Sequence, residues 1–79
     1  MPWEVMKSQI QNLVNSRDLF KDRSFHSVDL PDDVTLVRGQ LKLNNEWATQ
    51  SVRFPKDRFT LDQAQVWFKE WKFDRWWWQ

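Results

Sequence analysis

The spacing of hydrophobic and polar positions along this chain changes twice, and it predicts where helices and strands lie. In residues 3–16, apolar side chains recur at intervals of three or four, which is typical of a helix with one buried face. That face consists of Trp3, Met6, Ile10, Leu13 and Val14. Pro2 suits the first turn of a helix, where its missing N–H is not needed. We therefore expect a first helix over residues 3–16.

The middle of the chain follows the two-residue alternation of β-strands instead. Residues 25–30 predict a short strand, residues 34–43 a second one and residues 47–54 a third. Asn44 and Asn45 tolerate a positive φ, so they predict a tight hairpin turn between the second and third strands. We expect these three strands to form a small antiparallel meander.

The second of these strands contains a break in its alternation. Its apolar residues occupy even positions at Val34 and Leu36, and odd positions from Val37 onwards. The strand therefore needs one extra, unpaired residue between its first part, which includes Leu36, and its second part, which begins at Val37. Gly39 is the only glycine of the chain and lies in this stretch, which favours a β-bulge near Arg38 and Gly39.

The clearest single signal is the start of a helix at Thr60. A threonine followed three residues later by a glutamine, here Gln63, is the pattern of a capping box. The apolar face of the expected helix consists of Leu61, Ala64, Trp67, Phe68 and Trp71. The elements together predict a single α+β domain of residues 1–79 with the order α-β-β-β-α, a small antiparallel three-stranded meander packed against one or two helices.

The aromatic content changes the picture of the core. The chain has only 79 residues, which is small for a domain without disulfides or metals, but it contains seven Trp and six Phe. A buried Trp or Phe removes about 150–250 Å² from water, so a few of them stabilise a small core strongly. We therefore expect core positions rather than ligand stacking for Trp3, Trp47, Trp67 and Trp71.

Charge and cysteine content exclude several classes of protein. Twelve basic and eleven acidic residues leave a formal net charge of +1, without the basic excess of a dedicated nucleic-acid binder. The absence of cysteine excludes disulfides and thiolate metal sites. No stretch approaches the roughly 20 apolar residues of a membrane span, and the first residues do not resemble a signal peptide. A cytoplasmic protein is the expectation.

Residues for catalysis and metal binding are scarce. His26 is the only histidine, and no serine lies in a G-x-S-x-G elbow, so a hydrolase triad is not indicated. Asp29, Asp32 and Asp33 cluster around Pro31 but match no calcium-loop signature, which favours a charged turn. We therefore expect no cofactor and no metal, and these residues favour a non-enzymatic protein over an enzyme.

The last seven residues, 73–79, form an aromatic tail that fits none of these elements. Three consecutive tryptophans cannot all face one core, so either some of them pack on the sheet or they form an exposed apolar patch, which marks an interaction surface or an aggregation hazard. An end that derives from cloning, truncation or engineering is the third explanation. The candidate interaction surface combines this tail with the basic and aromatic residues before it: Arg53, Lys56, Arg58, Trp67, Lys69, Trp71, Lys72, Arg75, Trp76, Trp77 and Trp78. Residues 53–79 carry a net charge of only +2, so a solvated helix face above core aromatics is the simpler interpretation.

Three segments carry a family resemblance: Phe-His-Ser-Val at 25–28, Gln-Ser-Val-Arg-Phe-Pro-Lys-Asp-Arg-Phe-Thr at 50–60 and Ala-Gln-Val-Trp-Phe-Lys at 64–69. The chain from 25 to 73 resembles a small module of tailed-bacteriophage and prophage head-morphogenesis proteins, similar to segments associated with prohead serine proteases. Phe68 stands where such segments often carry leucine, and the resemblance includes no protease catalytic centre. It implies a viral protein with an assembly role, in the virion or in the cytoplasm of the bacterial host.

Three functions follow as hypotheses. The first is a non-enzymatic protein–protein interaction module that binds itself or a larger phage assembly protein. The second is a single-stranded nucleic-acid binder that uses the basic and aromatic C-terminal surface. The third is a minimal hydrolase that uses His26 together with carboxylates.

Overall fold

The computed structural model describes residues 3–70, which form one antiparallel sheet with a helix packed against it. The five strands are β1 (Trp3–Val5), β2 (Gln9–Leu13), β3 (His26–Asp29), β4 (Thr35–Gln40) and β5 (Trp47–Pro55). The helix α1 spans Leu61–Glu70. Short 3-10 turns at Arg17–Leu19 and Pro31–Asp33 lie in the connections before and after β3.

The strands lie side by side in the order β1-β2-β5-β4-β3, and every neighbouring pair is antiparallel. The long strand β5 is therefore central, while β1 and β3 are the edge strands of the sheet within residues 3–70. The predicted α+β class is confirmed. The predicted order α-β-β-β-α with its three-stranded meander is wrong, because the described residues form a five-stranded sheet and a single helix.

The predicted helix over residues 3–16 is the source of that difference, because this segment forms the β1–β2 hairpin. The N–H of Met6 donates to the carbonyl of Gln9 at 2.8 Å, which closes the turn between the two strands. β2 then pairs along its whole length with β5. Since β2 has a neighbouring strand on each side, both of its edges find hydrogen-bond partners, and this pairing overrides the helical spacing of the sequence.

The helix packs on one face of the sheet, called here the helix face, and the main core lies between them. Ile10 of β2 is directly opposite Phe54 of β5, and both side chains are buried. The ring of Phe54 packs edge-on against Trp67 of α1, with centroids 5.5 Å apart. The buried residues of this core are Ile10, Val34, Val52, Phe54, Ala64 and Trp67. Ala64 and Trp67 thus face the sheet as predicted, whereas Leu61 is exposed.

The opposite face of the sheet, called here the far face, is partly covered by the connection between β2 and β3. Phe20 in this connection is buried and forms an isolated bridge with Leu41. Its ring lies directly against Gly39 of β4. A Cβ built on Gly39 lies only 2.7 Å from the Cδ2 atom of Phe20, closer than real contacts allow. The only glycine of the chain therefore makes room for a buried ring.

The predicted irregularity near Arg38 is present, but the extra residue lies on the neighbouring strand. The pairing of β4 with β5 changes register between Val37 and Arg38, because Gln50 of β5 is skipped. The carbonyl of Gln50 accepts hydrogen bonds from the N–H groups of Val14 and Asn15, at 2.9 and 3.1 Å. The bulge in β5 thus holds the chain that leaves β2.

One local signal of the sequence is confirmed in detail and a second only in part. The N–H of Thr60 donates to Oε1 of Gln63 at 2.9 Å, and the N–H of Gln63 donates to Oγ1 of Thr60 at 3.2 Å. This is the predicted capping box. The positive φ expected before β5 is present at Asn45, at 63°, but the connection over residues 41–46 is longer than the predicted tight turn.

The four tryptophans that were expected in the core differ in their environments. Trp67 is buried, and Trp3 is partly buried with its ring 5.5 Å from that of Phe68. The expectation is wrong for Trp47, which is 45% exposed at the start of β5. Trp71 lies outside the described residues.

Candidate interaction surface

The edge strand β3 is the most exposed strand of the sheet. All four of its residues, His26–Asp29, are exposed, and it pairs with β4 along one side. No strand within residues 3–70 pairs with its outer side. The backbone N–H and C=O groups along that outer side are therefore open to pairing with another strand.

An aromatic and basic cluster lies beside this edge on the helix face. His26 of β3 is directly opposite Arg38 of β4, so their side chains project from the same face of the sheet. The rings of His26 and Trp47 meet edge-on, with centroids 5.2 Å apart and an interplanar angle of 69°. The Nη2 group of Arg38 donates to the carbonyl of Trp47 at 3.5 Å. We call His26, Arg38 and Trp47 the edge cluster.

An apolar strip connects the edge cluster with the buried core. Val28 lies on the same face of β3 as His26 and is 37% exposed. Its neighbour across the strands is Leu36, and the next neighbour is the core residue Val52. Exposed apolar surface that borders an unpaired strand edge is typical of an interaction site.

Within residues 3–70, the described members of the predicted basic and aromatic surface have different environments. Arg53 lies on the far face, because it alternates with Phe54, which faces the helix. Arg58 forms an ion pair with Asp33 at 2.6 Å. Trp67 is buried in the core, and its Nε1 donates to Oδ2 of Asp32 at 3.0 Å.

Of the remaining predicted residues, Lys56 and Lys69 are exposed. The others lie outside the described residues, and they are Trp71, Lys72, Arg75, Trp76, Trp77 and Trp78. This C-terminal interaction surface therefore stays a prediction.

The candidates for catalysis and metal binding have other contacts. The ring neighbour of His26 is Trp47, and the carboxylates of Asp32 and Asp33 contact Trp67 and Arg58. Within residues 3–70, no group of three or more His, Cys, Asp or Glu side chains is placed to hold a metal ion. Nor does this part of the chain contain a helix with the length and apolar character of a membrane span.

Sequence reasoning missed the edge cluster. Its three residues come from three different strands, and only the register of the sheet brings them together. The signal available in the sequence was weak. It is that His26 and Trp47 are the first residues of β3 and β5, where side chains are often exposed.

Comparison with known proteins identifies no relative, since no protein-family model, curated protein or solved structure matches this chain. The resemblance to phage head-morphogenesis segments therefore stays a prediction.

Proposed function

We propose that this protein is a non-enzymatic interaction module that self-associates through the outer side of β3. The observation that carries this proposal is that all four residues of β3 are exposed, at an edge where residues 3–70 place no further strand. When two such edges pair, the sheet continues from one copy into the next. The unpaired backbone groups then become bonded, and the adjoining side chains add apolar contact.

The residues of β3 are compatible with a symmetric antiparallel pairing. A two-fold axis perpendicular to the sheet keeps the helix faces of both copies on one side, so residues of the same face lie opposite each other. With Ser27 on the axis, His26 of one copy lies opposite Val28 of the other. With Val28 on the axis, the two Val28 side chains meet, and Ser27 lies opposite Asp29. Neither register places like charges against each other.

The other edge of the sheet is less suitable for the same pairing. β1 has only three residues, and the middle one is Glu4. Full overlap of two β1 strands places the two Glu4 carboxylates directly opposite each other, which destabilises the pair. Trp3 of β1 also packs inward against Phe68, whereas Trp47 beside β3 is exposed.

We further propose an assembly role of the kind found in tailed-phage head morphogenesis, with the chain itself or a larger assembly protein as the partner. The support is the resemblance over residues 25–73, which includes β3. This role places the protein in the virion or in the cytoplasm of a bacterial host.

Sedimentation velocity over a range of concentrations tests the self-association. Val28→Lys places a charge on the outer strand of the proposed interface, and Val5→Lys places the same charge on the opposite edge strand. Val5 is a matched control because it is also exposed, at 56% against 37% for Val28. We expect the native chain and Val5→Lys to form dimers, and Val28→Lys to sediment as a monomer.

Two results contradict the proposal. One is a native chain that stays monomeric at all concentrations. The other is a dimer that Val5→Lys dissociates and Val28→Lys does not, since that result assigns the interface to β1.

A second candidate function is single-stranded nucleic-acid binding, and the edge cluster is the observation that favours it. An exposed indole, an imidazole and a guanidinium on a sheet surface offer stacking and phosphate contacts to an unpaired strand. The net charge of +1 weighs against strong binding. Addition of a deoxythymidine oligonucleotide at low salt tests it: binding quenches the tryptophan fluorescence of the chain, and the absence of quenching eliminates this function.

A further inference from the structure

A cleft of about 540 Å³ lies on the far face of the sheet. Its lining residues come from β2, from the bulged part of β5 and from the connection that follows β2: Gln11, Leu13, Ser16, Arg17, Gln50 and Arg53. The volume falls in the range of about 300–1,000 Å³ in which small-molecule sites lie. The bulge at Gln50 contributes to its shape, because the carbonyl of Gln50 binds the chain that leaves β2.

The lining carries two positive charges and no carboxylate. Arg17 lies over the ring of Phe25, with its Cζ atom 4.3 Å from the ring centroid, and this contact positions the guanidinium above the far face. Arg53 stands between Gln11 and Thr35 on the neighbouring strands, and neither of these is charged. Within residues 3–70, neither arginine forms an ion pair.

The carboxylate of Glu4 contacts Gln11, a residue of the lining. Its Oε1 accepts a hydrogen bond from Nε2 of Gln11 at 2.6 Å. It does not form an ion pair with Arg17 or Arg53. Within the described residues, the two guanidinium groups of the cleft therefore have no directly paired carboxylate.

Two polar atoms of β5 at this face lack a hydrogen-bond partner within the described residues. They are Nε of Arg53 and Oγ of Ser51, and both are buried. Because no internal acceptor holds the Nε–H group of Arg53, its guanidinium can rotate toward a bound anion without breaking a hydrogen bond in residues 3–70. An arginine then offers Nε–H and Nη–H together, which is the donor pair that carboxylates and phosphates bind most strongly.

We propose that this cleft binds a small organic anion. Its carboxylate or phosphate group lies between the guanidinium groups of Arg17 and Arg53, the amides of Gln11 and Gln50 offer further hydrogen bonds, and its apolar part lies against Leu13. This site is independent of the proposed self-association, because it is on the far face of the sheet and the edge cluster is on the helix face.

The test is NMR titration of the full chain, with resonances of the arginine Nε–H groups and the backbone as the readout. The probes are phenyl phosphate, benzoate, inorganic phosphate and the uncharged benzamide. We expect both aromatic anions to shift the resonances of Arg17, Arg53 and Leu13 in a saturable way. Inorganic phosphate binds more weakly, because it lacks an apolar part, and benzamide does not bind. Tighter binding of phenyl phosphate identifies phosphate as the preferred group, and tighter binding of benzoate identifies carboxylate.

Variants that each remove one arginine charge distinguish binding in the cleft from nonspecific attraction of anions to basic side chains. We expect Arg53→Gln and Arg17→Gln each to raise the dissociation constant at least about tenfold. Arg58→Gln removes the same charge from a surface ion pair elsewhere, and we expect it to leave the dissociation constant of the anion unchanged. If Arg53→Gln does not fold, Arg53→Lys serves instead, because it keeps the charge and loses the paired donors.

Three results overturn the proposal: no saturable shift with either aromatic anion, equal binding of benzamide, or equal weakening by Arg58→Gln and Arg53→Gln. A variant that loses anion binding is expected to keep its oligomeric state. The NMR titration can therefore contradict the anion site without contradicting self-association through β3.

Discussion

The ring of His26 meets the ring of Trp47 edge-on at 5.2 Å, although 20 residues separate them in the chain. The contact spans three strands, because β4 lies between β3 and β5 and contributes Arg38 to the same surface. An exposed Trp held beside an open strand edge is well suited to anchor a partner, since buried Trp and Arg side chains contribute most to many interfaces.

Replacing Trp47 therefore tests association and folding as two separate quantities, the dimer dissociation constant and the unfolding free energy. We expect Trp47→Ala to raise the dimer dissociation constant about tenfold or more, because the proposed dimer would bury the exposed part of the indole. The unfolding free energy of the monomer falls by less than it would for a fully buried tryptophan, since the residue is 45% exposed. Sedimentation and urea unfolding measure the two effects. Leu43→Ala is the control, because Leu43 is 93% exposed in the β4–β5 turn and is expected to change neither quantity.

Gly39→Ala tests the packing of the far face. A Cβ at this position lies 2.7 Å from Cδ2 of Phe20, and that ring is itself buried. Forcing the ring aside is expected to lower the unfolding free energy by about 1–3 kcal/mol, as overpacking does in cores. Chemical denaturation of the variant measures the loss. The combined variant Gly39→Ala with Phe20→Leu should recover part of it, and a Gly39→Ala protein of native stability contradicts this packing.

The hydrogen bond from Trp67 to Asp32 joins the helix to the turn after β3. Asp32 has a φ of 64°, so an alanine there adds backbone strain, whereas Gly and Asn tolerate this conformation. We expect Asp32→Gly to be less stable than Asp32→Asn by about 1 kcal/mol, because only Asn keeps an oxygen acceptor for the indole N–H. Thermal unfolding of the two variants compares them, and equal stability would contradict a net contribution of about 1 kcal/mol from this hydrogen bond.

The capping box gives a fourth prediction. Thr60→Ala removes the oxygen that accepts the N–H of Gln63, which is expected to cost about 1 kcal/mol of unfolding free energy. Thr60→Ser keeps that oxygen and serves as the control. Amide hydrogen exchange in the first turn of α1 should accelerate in Thr60→Ala and not in Thr60→Ser. Unchanged exchange in both would contradict a stabilising cap.

The features that the sequence predicted correctly depend on neighbouring residues. The capping box joins Thr60 to Gln63, and the positive φ before β5 needs only a residue such as Asn45 that tolerates it. The strands of the middle segment were predicted from alternation, and their places in the chain agree with β3, β4 and β5. The bulge was predicted from the interrupted alternation of apolar residues in the segment of β4. Such an interruption does not show which of the two paired strands, β4 or β5, contains the extra residue.

The features that were missed depend on distant pairing. The β1–β2 hairpin forms because β2 pairs with β5, about 40 residues later in the chain, and no local signal contains that information. Gln11 and Asn12 are polar and yet buried, which is typical of a strand covered on both faces rather than of an exposed helix surface. The edge cluster and the cleft on the far face likewise arise from the register of β2, β3, β4 and β5.

Intermolecular NOEs in a sample that mixes ¹³C-labelled and unlabelled chains test the central claim most directly. If two β3 edges pair, NOEs between chains connect the methyl groups of Val28 with the imidazole of His26 or with the second Val28. No such NOEs reach Val5 on the opposite edge. Intermolecular NOEs confined to β1, or their absence at concentrations where the protein is fully dimeric, would contradict self-association through β3.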